Sequence, residues 1–262
     1  MATKQNDEPI SIIELKRGRS LFYVVGTTPL LMNRFSEKAK QQLLSPPQKK
    51  NAAERASMAK HDPIAEYRSS VYKNRDQKRP AAIHAPSEWF KGGLANAALD
   101  IPGVSKAKIE RLVQCSPQID LFGTPFLHFG MVRNSDINRT PDVRCRAIFP
   151  EWCCAFEVSY IANLISSDNV ANLLAASGEI VGVGDWRPQK GGTFGQFRLA
   201  GADDKEFHRI VKEQGAQAQI NALAKPVAFD NESEELLVWF VQEMQRRELE
   251  VTQADEVPIA AE

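Results

Sequence analysis

The sequence predicts an α+β fold. Three observations carry that expectation. Short β-branched and aromatic runs recur at 20–27, 118–127, 142–149 and 152–161, bounded by turn residues. Helical apolar spacing fills 82–98, 106–113 and 168–177. An acidic amphipathic stretch then occupies 232–250.

The first run, SLFYVVGT at 20–27, ends at Gly26 and Pro29 and reads as a buried core strand. From 36 to 79 the composition shifts to Lys, Gln, Ala, Arg and Ser, interrupted by Pro46, Pro47 and Pro63, with few large aliphatic side chains. Such a stretch buries little surface alone, so short helices at 37–44 and 64–71 are expected on a protruding basic arm inserted at 36–80. In 82–98, Ser87 after Pro86 is a candidate N-cap, and Trp89, Phe90, Leu94, Ala97 and Ala98 share one helical face. Gly92 and Gly93 cost that helix about 1 kcal/mol each relative to alanine, which implies close approach of another group to its backbone.

A helix at 106–113 precedes the 118–127 strand, which carries a turn at 123–125. In DVRCRAIF at 142–149, alternation puts Arg144 and Arg146 on one strand face and Val143, Cys145 and Ala147 on the other. Two adjacent arginines on an open face suit phosphate; a solvated face with local ion pairs is the alternative. After the 152–161 strand, the 168–177 helix can be capped by Asp168 or a preceding serine and stops at Gly178. A strand at 197–199 closes the core, and 203–219 reads as one surface helix. The helix at 232–250 carries Leu236, Leu237, Phe240, Val241 and Met244. The expected organisation is a core at 10–200, a helical acidic extension at 201–250 and a disordered tail at 251–262.

With 262 residues, 43% apolar and 25% charged, the chain has ordinary globular composition. It has no apolar window long enough to span a membrane, and residues 1–9 are polar, so a cytoplasmic location is expected. Cys115, Cys145, Cys153 and Cys154 show no CxxC spacing and read as reduced core thiols. His61, His84, His128 and His208 form no metal-binding pair, and neither a metal nor a cofactor is expected. The zero net charge conceals a dipole. Residues 1–80 hold 16 Lys and Arg against 8 Asp and Glu, residues 81–200 hold 11 against 11, and residues 201–262 hold 6 against 14.

The stretch 178–197 has six glycines in twenty residues, placed after a helix and before a strand. Gly182, Gly184, Gly191, Gly192 and Gly195 permit turns whose free amides could hold an anion. Arg187 and Lys190 add charge, and Trp186, Phe194 and Phe197 offer stacking faces. The order helix, loop, strand is the reverse of a dinucleotide or P-loop site, and no GKS or GKT occurs. The competing reading is a hairpin with its aromatics packed inward.

The segment GVGDWRPQKGGTFGQF resembles the C-terminal glycine-rich loop of RAMP proteins, the RNA-binding subunits of CRISPR effector complexes. APSEWFKGGL, from Ala85 to Leu94, is similar to that family's proline, serine, then Lys-Gly element, and the basic insertion resembles its protruding finger or thumb. Two departures stand out: three residues separate Ser87 from Lys91, and the loop carries an extra Trp-Arg-Pro. The resemblance implies a ferredoxin-like or RRM-like antiparallel sheet with helices on one face, an inserted basic arm and a C-terminal helical extension. It also implies binding of single-stranded nucleic acid, RNA ahead of DNA, without catalysis. The loop would track the backbone, with Lys91, Arg144, Arg146, Arg34 and the arm as further phosphate contacts. A homo-oligomer or filament is expected from docking of the acidic C-terminal third on a neighbour's basic arm. The alternatives are a phage single-strand annealing protein, an assembly protein without nucleic acid, and a metal-dependent ribonuclease using Asp62 or Asp76.

Overall fold

The computed structural model describes residues 13–35, Lys40, Leu44, 61–133 and 140–247. Its centre is an antiparallel sheet built on the pairing of β1 (Arg17–Gly26) with β8 (Cys153–Ile161), in register from Arg17 opposite Ile161 to Val25 opposite Cys153. On the far side of β1 lies β9 (Phe197–Ala200). On the far side of β8 lie β4 (Val113–Cys115) and β5 (Gln118–Phe122), two segments of one interrupted edge, and β3 (Ile83–Pro86) pairs outside β5. The order across the sheet is β3-β5-β8-β1-β9, with β4 also on β8.

Alternation along these strands creates two faces. One carries Val24, Cys154, Phe156, Val158, Leu121 and Phe197, and it is covered by α2 (Ser87–Ala97) and α4 (Ser167–Ala176). Phe90 of α2 meets Phe156 at 4.4 Å and Phe197 at 5.7 Å between ring centroids. α3 (Lys106–Leu112) leads from α2 into β4. The opposite face carries Tyr23, Val25, Cys153 and Ala155. It is covered by α5 (Lys205–Glu213), through Phe207 and Ile210. Beyond α5, Leu21, expected in a buried strand, is 56% exposed on β1.

A second sheet, in the order β2-β7-β6, joins β2 (Leu30–Met32), β6 (Phe126–Arg133) and β7 (Pro141–Phe149). Trp152 locks the two sheets together: its indole packs against Gly26 and its Nε1 donates to the Thr28 carbonyl at 2.9 Å.

The arm expected at 36–80 falls largely outside the described residues, and so does the tail at 251–262. Residues 63–71 of the arm pack on the core. α1 (Pro63–Ser69) lies on β7, with Ile64, Tyr67 and Val71 buried. The Tyr67 hydroxyl donates to the Pro125 carbonyl, so sparse apolar residues suffice where each is inserted into an existing core.

The surface helix expected at 203–219 is two helices. α5 ends at Glu213, and α6 (Ala216–Ala224) restarts at Gly215, its N-cap. Buried Gln219 then bridges β3 and β5, accepting from the Ala82 and Ile83 amides and donating to the Leu121 and Gly123 carbonyls. α7 (Asn231–Arg246) buries Leu237 and Met244 but leaves Trp239 60% exposed. The cysteines are free thiols, and burial pushes Cys115 and Cys153 up to about 12. Among the described residues no helix is long and apolar enough to cross a membrane.

Candidate nucleic-acid interface

The glycine-rich segment leaves α4 through a π turn, Ser177–Val181, whose start packs on α2: a Cβ on Gly93 would overlap the Ser177 hydroxyl. That contact accounts for Gly93. Gly92, by contrast, has nothing within 4 Å of where its Cβ would stand, and it lines a shallow cleft of about 80 Å³ between α2 and the loop. Glu88, Trp89, Gly182, Gly184 and Arg187 line the same cleft. The two sequence patches thus meet in space. The cleft's charge is mixed, with one carboxylate facing one guanidinium.

The loop amides are spent on the fold. Gly182 donates to the Ser177 carbonyl, Val183 to Gly195, Asp185 to Leu31, Gly192 to Arg187, Phe194 to Trp186, and Gly195 to Pro29. An open cradle of free amides was expected there, and these bonds replace it over most of the loop. Gly195 shows why glycine is needed: its φ is +73°, and a Cβ would overlap the Val183 carbonyl oxygen.

The tip of the loop is different. Trp186 is the one non-glycine residue with positive φ among the described residues, at 52°, and its side chain is exposed. Lys190 ends a 3₁₀ turn, Pro188–Lys190, and is exposed. Arg187 is held in place: its Nη1 donates to the Gly184 carbonyl at 2.9 Å, and its Nε and Nη2 donate to Gln189 Oε1. Gly191 and Gly192 complete the turn behind them.

Five expected contacts are placed otherwise. Arg144 and Arg146 do share a face of β7, but Arg146 is buried and pairs with Asp185 at 2.6 Å, so it ties the loop to the second sheet and offers phosphate no open charge. Arg144 pairs with Asp142 at 3.1 Å. Phe197 is fully buried between Phe90 and Trp152 and cannot stack on a base. Phe194 is half-buried and sits edge-on to His128. Lys91 lies on α2 outside the cleft, and its ammonium donates to Gln114 Oε1 of β4.

Arg34 belongs to a second concavity, which sequence reasoning missed. It holds about 520 Å³ and is lined by Arg34, Arg68, Tyr72, Lys73, Arg75 and His84 among others, with no acidic side chain among the described residues. The basic excess of residues 61–80 was the available signal for it.

Asp62 and Asp76 serve local structure. Asp62 Oδ1 caps α1 by accepting from the Ala65 amide, and Asp76 Oδ1 accepts from the Lys78 amide. Among the described residues no three His, Cys, Asp or Glu side chains are placed to share a metal ion. No protein-family model matches the chain, and no curated protein is significantly similar to it.

Proposed function

We propose that this protein binds single-stranded nucleic acid without catalysis, RNA in preference to DNA, through the tip of the glycine-rich loop. The observation that carries this reading is Trp186. An exposed indole on a left-handed backbone is a costly arrangement, roughly 1–3 kcal/mol for a non-glycine residue, and such strain concentrates where a side chain must be presented. Arg187 and Lys190 flank the ring with charge. Together they make a stacking face beside phosphate-binding cations, the combination that holds single strands without reading their sequence.

The fold is consistent with this role. The run β1, α2, β4/β5, β8, α4, β9 with spatial order β9-β1-β8-β5 supports a ferredoxin-like core in the manner of the RAMP proteins, elaborated by β3 and the second sheet.

The test is fluorescence anisotropy of labelled single-stranded RNA, single-stranded DNA and duplex DNA across a salt series. Trp186→Ala should weaken single-strand binding by about 1–3 kcal/mol, roughly 5- to 150-fold. Arg187→Gln with Lys190→Gln should lower the salt slope. Equal affinity of wild type and Trp186→Ala for every strand would overturn the reading.

A further inference from the structure

We propose that the basic concavity between α1, residues 70–75 and β3 is a second ligand site that takes a phosphorylated nucleoside. This deepens the single-strand reading, and rests on it only for whether the nucleoside belongs to a strand or is free.

The concavity's volume, about 520 Å³, lies in the range of small-ligand pockets. Its lining combines the two chemistries a nucleotide needs. Arg34, Arg68, Lys73 and Arg75 supply positive charge, and Tyr72 and His84 supply rings, 5.7 Å apart between centroids. Among the described residues, the Lys73 and Arg75 side chains make no hydrogen bond or ion pair. The Lys73 ammonium is pushed below its ordinary value first by burial and then by repulsion from Arg68 and Arg34. A bound phosphate would offset that repulsion by placing negative charge among the cations. Arg68 is a fixed part of this wall, since its Nε and Nη2 donate to the Leu223 and Ala224 carbonyls at the end of α6 at 2.8 and 2.9 Å. His84 Nδ1 is buried without a hydrogen-bond partner among the described residues.

The site also connects to the loop. Tyr72 meets Trp89 edge to face at 5.9 Å, and Trp89 lines the small cleft under Arg187. A row of rings, His84, Tyr72 and Trp89, therefore runs from the basic concavity to the glycine-rich loop. A strand passing the loop tip has a charged, aromatic-lined place for a neighbouring nucleotide.

The experiment uses the full chain, with isothermal calorimetry of adenosine monophosphate and of inorganic phosphate, and anisotropy of a labelled single-stranded RNA across salt. The cleft variant is Lys73→Gln with Arg75→Gln, whose side chains make no hydrogen bond or ion pair among the described residues, so folding should survive and is checked by melting. The loop variant is Arg187→Gln with Lys190→Gln. Adenosine monophosphate should bind wild type and loop variant alike and lose at least about tenfold in affinity in the cleft variant, as expected for removing charge-assisted contacts. If the strand uses the site, the salt slope for RNA should also fall by about 1.4 in the cleft variant, for two lost single-strand contacts. If the slope is unchanged while adenosine monophosphate binding is lost, the site stands and takes a free nucleotide. If wild type binds adenosine monophosphate but no RNA, the site stands and the strand-binding reading falls. The proposal is overturned if neither small ligand binds wild type, or if both bind the cleft variant as tightly as wild type.

Discussion

The Arg146 side chain is 9% exposed, and its charge is tolerable there because the Asp185 carboxylate meets it at 2.6 Å. Burial alone would push the guanidinium toward its neutral form, and Asp185 is the chief counterweight. Arg146→Met should therefore destabilise the protein by about 2 kcal/mol in denaturant unfolding, below the cost of breaking a fully buried pair because Asp185 keeps contact with water. Arg144→Gln, on the same face but more exposed, should cost less, about 1 kcal/mol, because its buried partner Asp142 is also held by His61. A pair of equal effects would refute the distinction. Alternation in the sequence was enough to put both arginines on one face of β7. It could not reveal that a loop 39 residues later would deliver a carboxylate to one of them. Glycines separate in the same way. Gly191 has φ of +76° with open space around it, so alanine there should cost only the roughly 1–2 kcal/mol of left-handed backbone. At Gly195 alanine meets the Val183 carbonyl as well, and its loss in thermal or denaturant unfolding should be clearly the larger.

At the scale of elements, α1 is fastened to β7 by a histidine set between two carboxylates. His61 Nδ1 lies 2.6 Å from Glu66 Oε1, and Nε2 lies 2.9 Å from Asp142 Oδ1. Carboxylates only accept, so both ring nitrogens must carry hydrogen for both bonds to form, and that state is the imidazolium. The hydrogen bond to Glu66 is the main cause of a folded pKa above the ordinary imidazole value, outweighing burial. A raised pKa means that the clamp contributes fully below the unfolded value, about 6.5, and fades as pH rises through the folded one. The melting temperature of wild type should exceed that of His61→Gln at pH 6, and the gap should narrow by pH 9. A gap that is constant with pH would show that His61 acts by packing alone. This clamp was invisible in the sequence because its partners lie 5 and 81 residues away. The elements it joins were partly legible: helix at 64–71 and strand at 142–149 were expected, and α1 and β7 occupy Pro63–Ser69 and Pro141–Phe149. By contrast β2, β3 and β4 were missed. Strands of three or four residues carry no periodic signal of their own and exist because β7, β5 and β8 pair with them.

The charge separation along the chain acts on the whole molecule. Within one copy, the basic segment 61–80 meets the C-terminal helices through neutral groups: Arg68 on α6 carbonyls, and the Ala216 amide on the Pro80 carbonyl. The carboxylates of Glu232, Glu234 and Glu235 on α7 point outward instead, beside the exposed Trp239 ring. They are available to the basic surface of a second copy. A contact of this kind joins unlike patches, so it repeats head to tail and need not close into a ring. Its attraction is between exposed charges and shortens with the screening length, which falls from about 10 Å at 0.1 M salt to about 3 Å at 1 M. Sedimentation velocity should therefore show assemblies at low salt that dissociate to monomer as salt is raised, and Glu232→Gln with Glu234→Gln and Glu235→Gln should lower the salt needed for dissociation. Single-stranded RNA should promote assembly at intermediate salt, because each bound copy brings its acidic end near the next copy's basic face. A protein that stays monomeric at low salt, with and without RNA, excludes the head-to-tail arrangement while leaving the loop-tip binding site to stand on the anisotropy result.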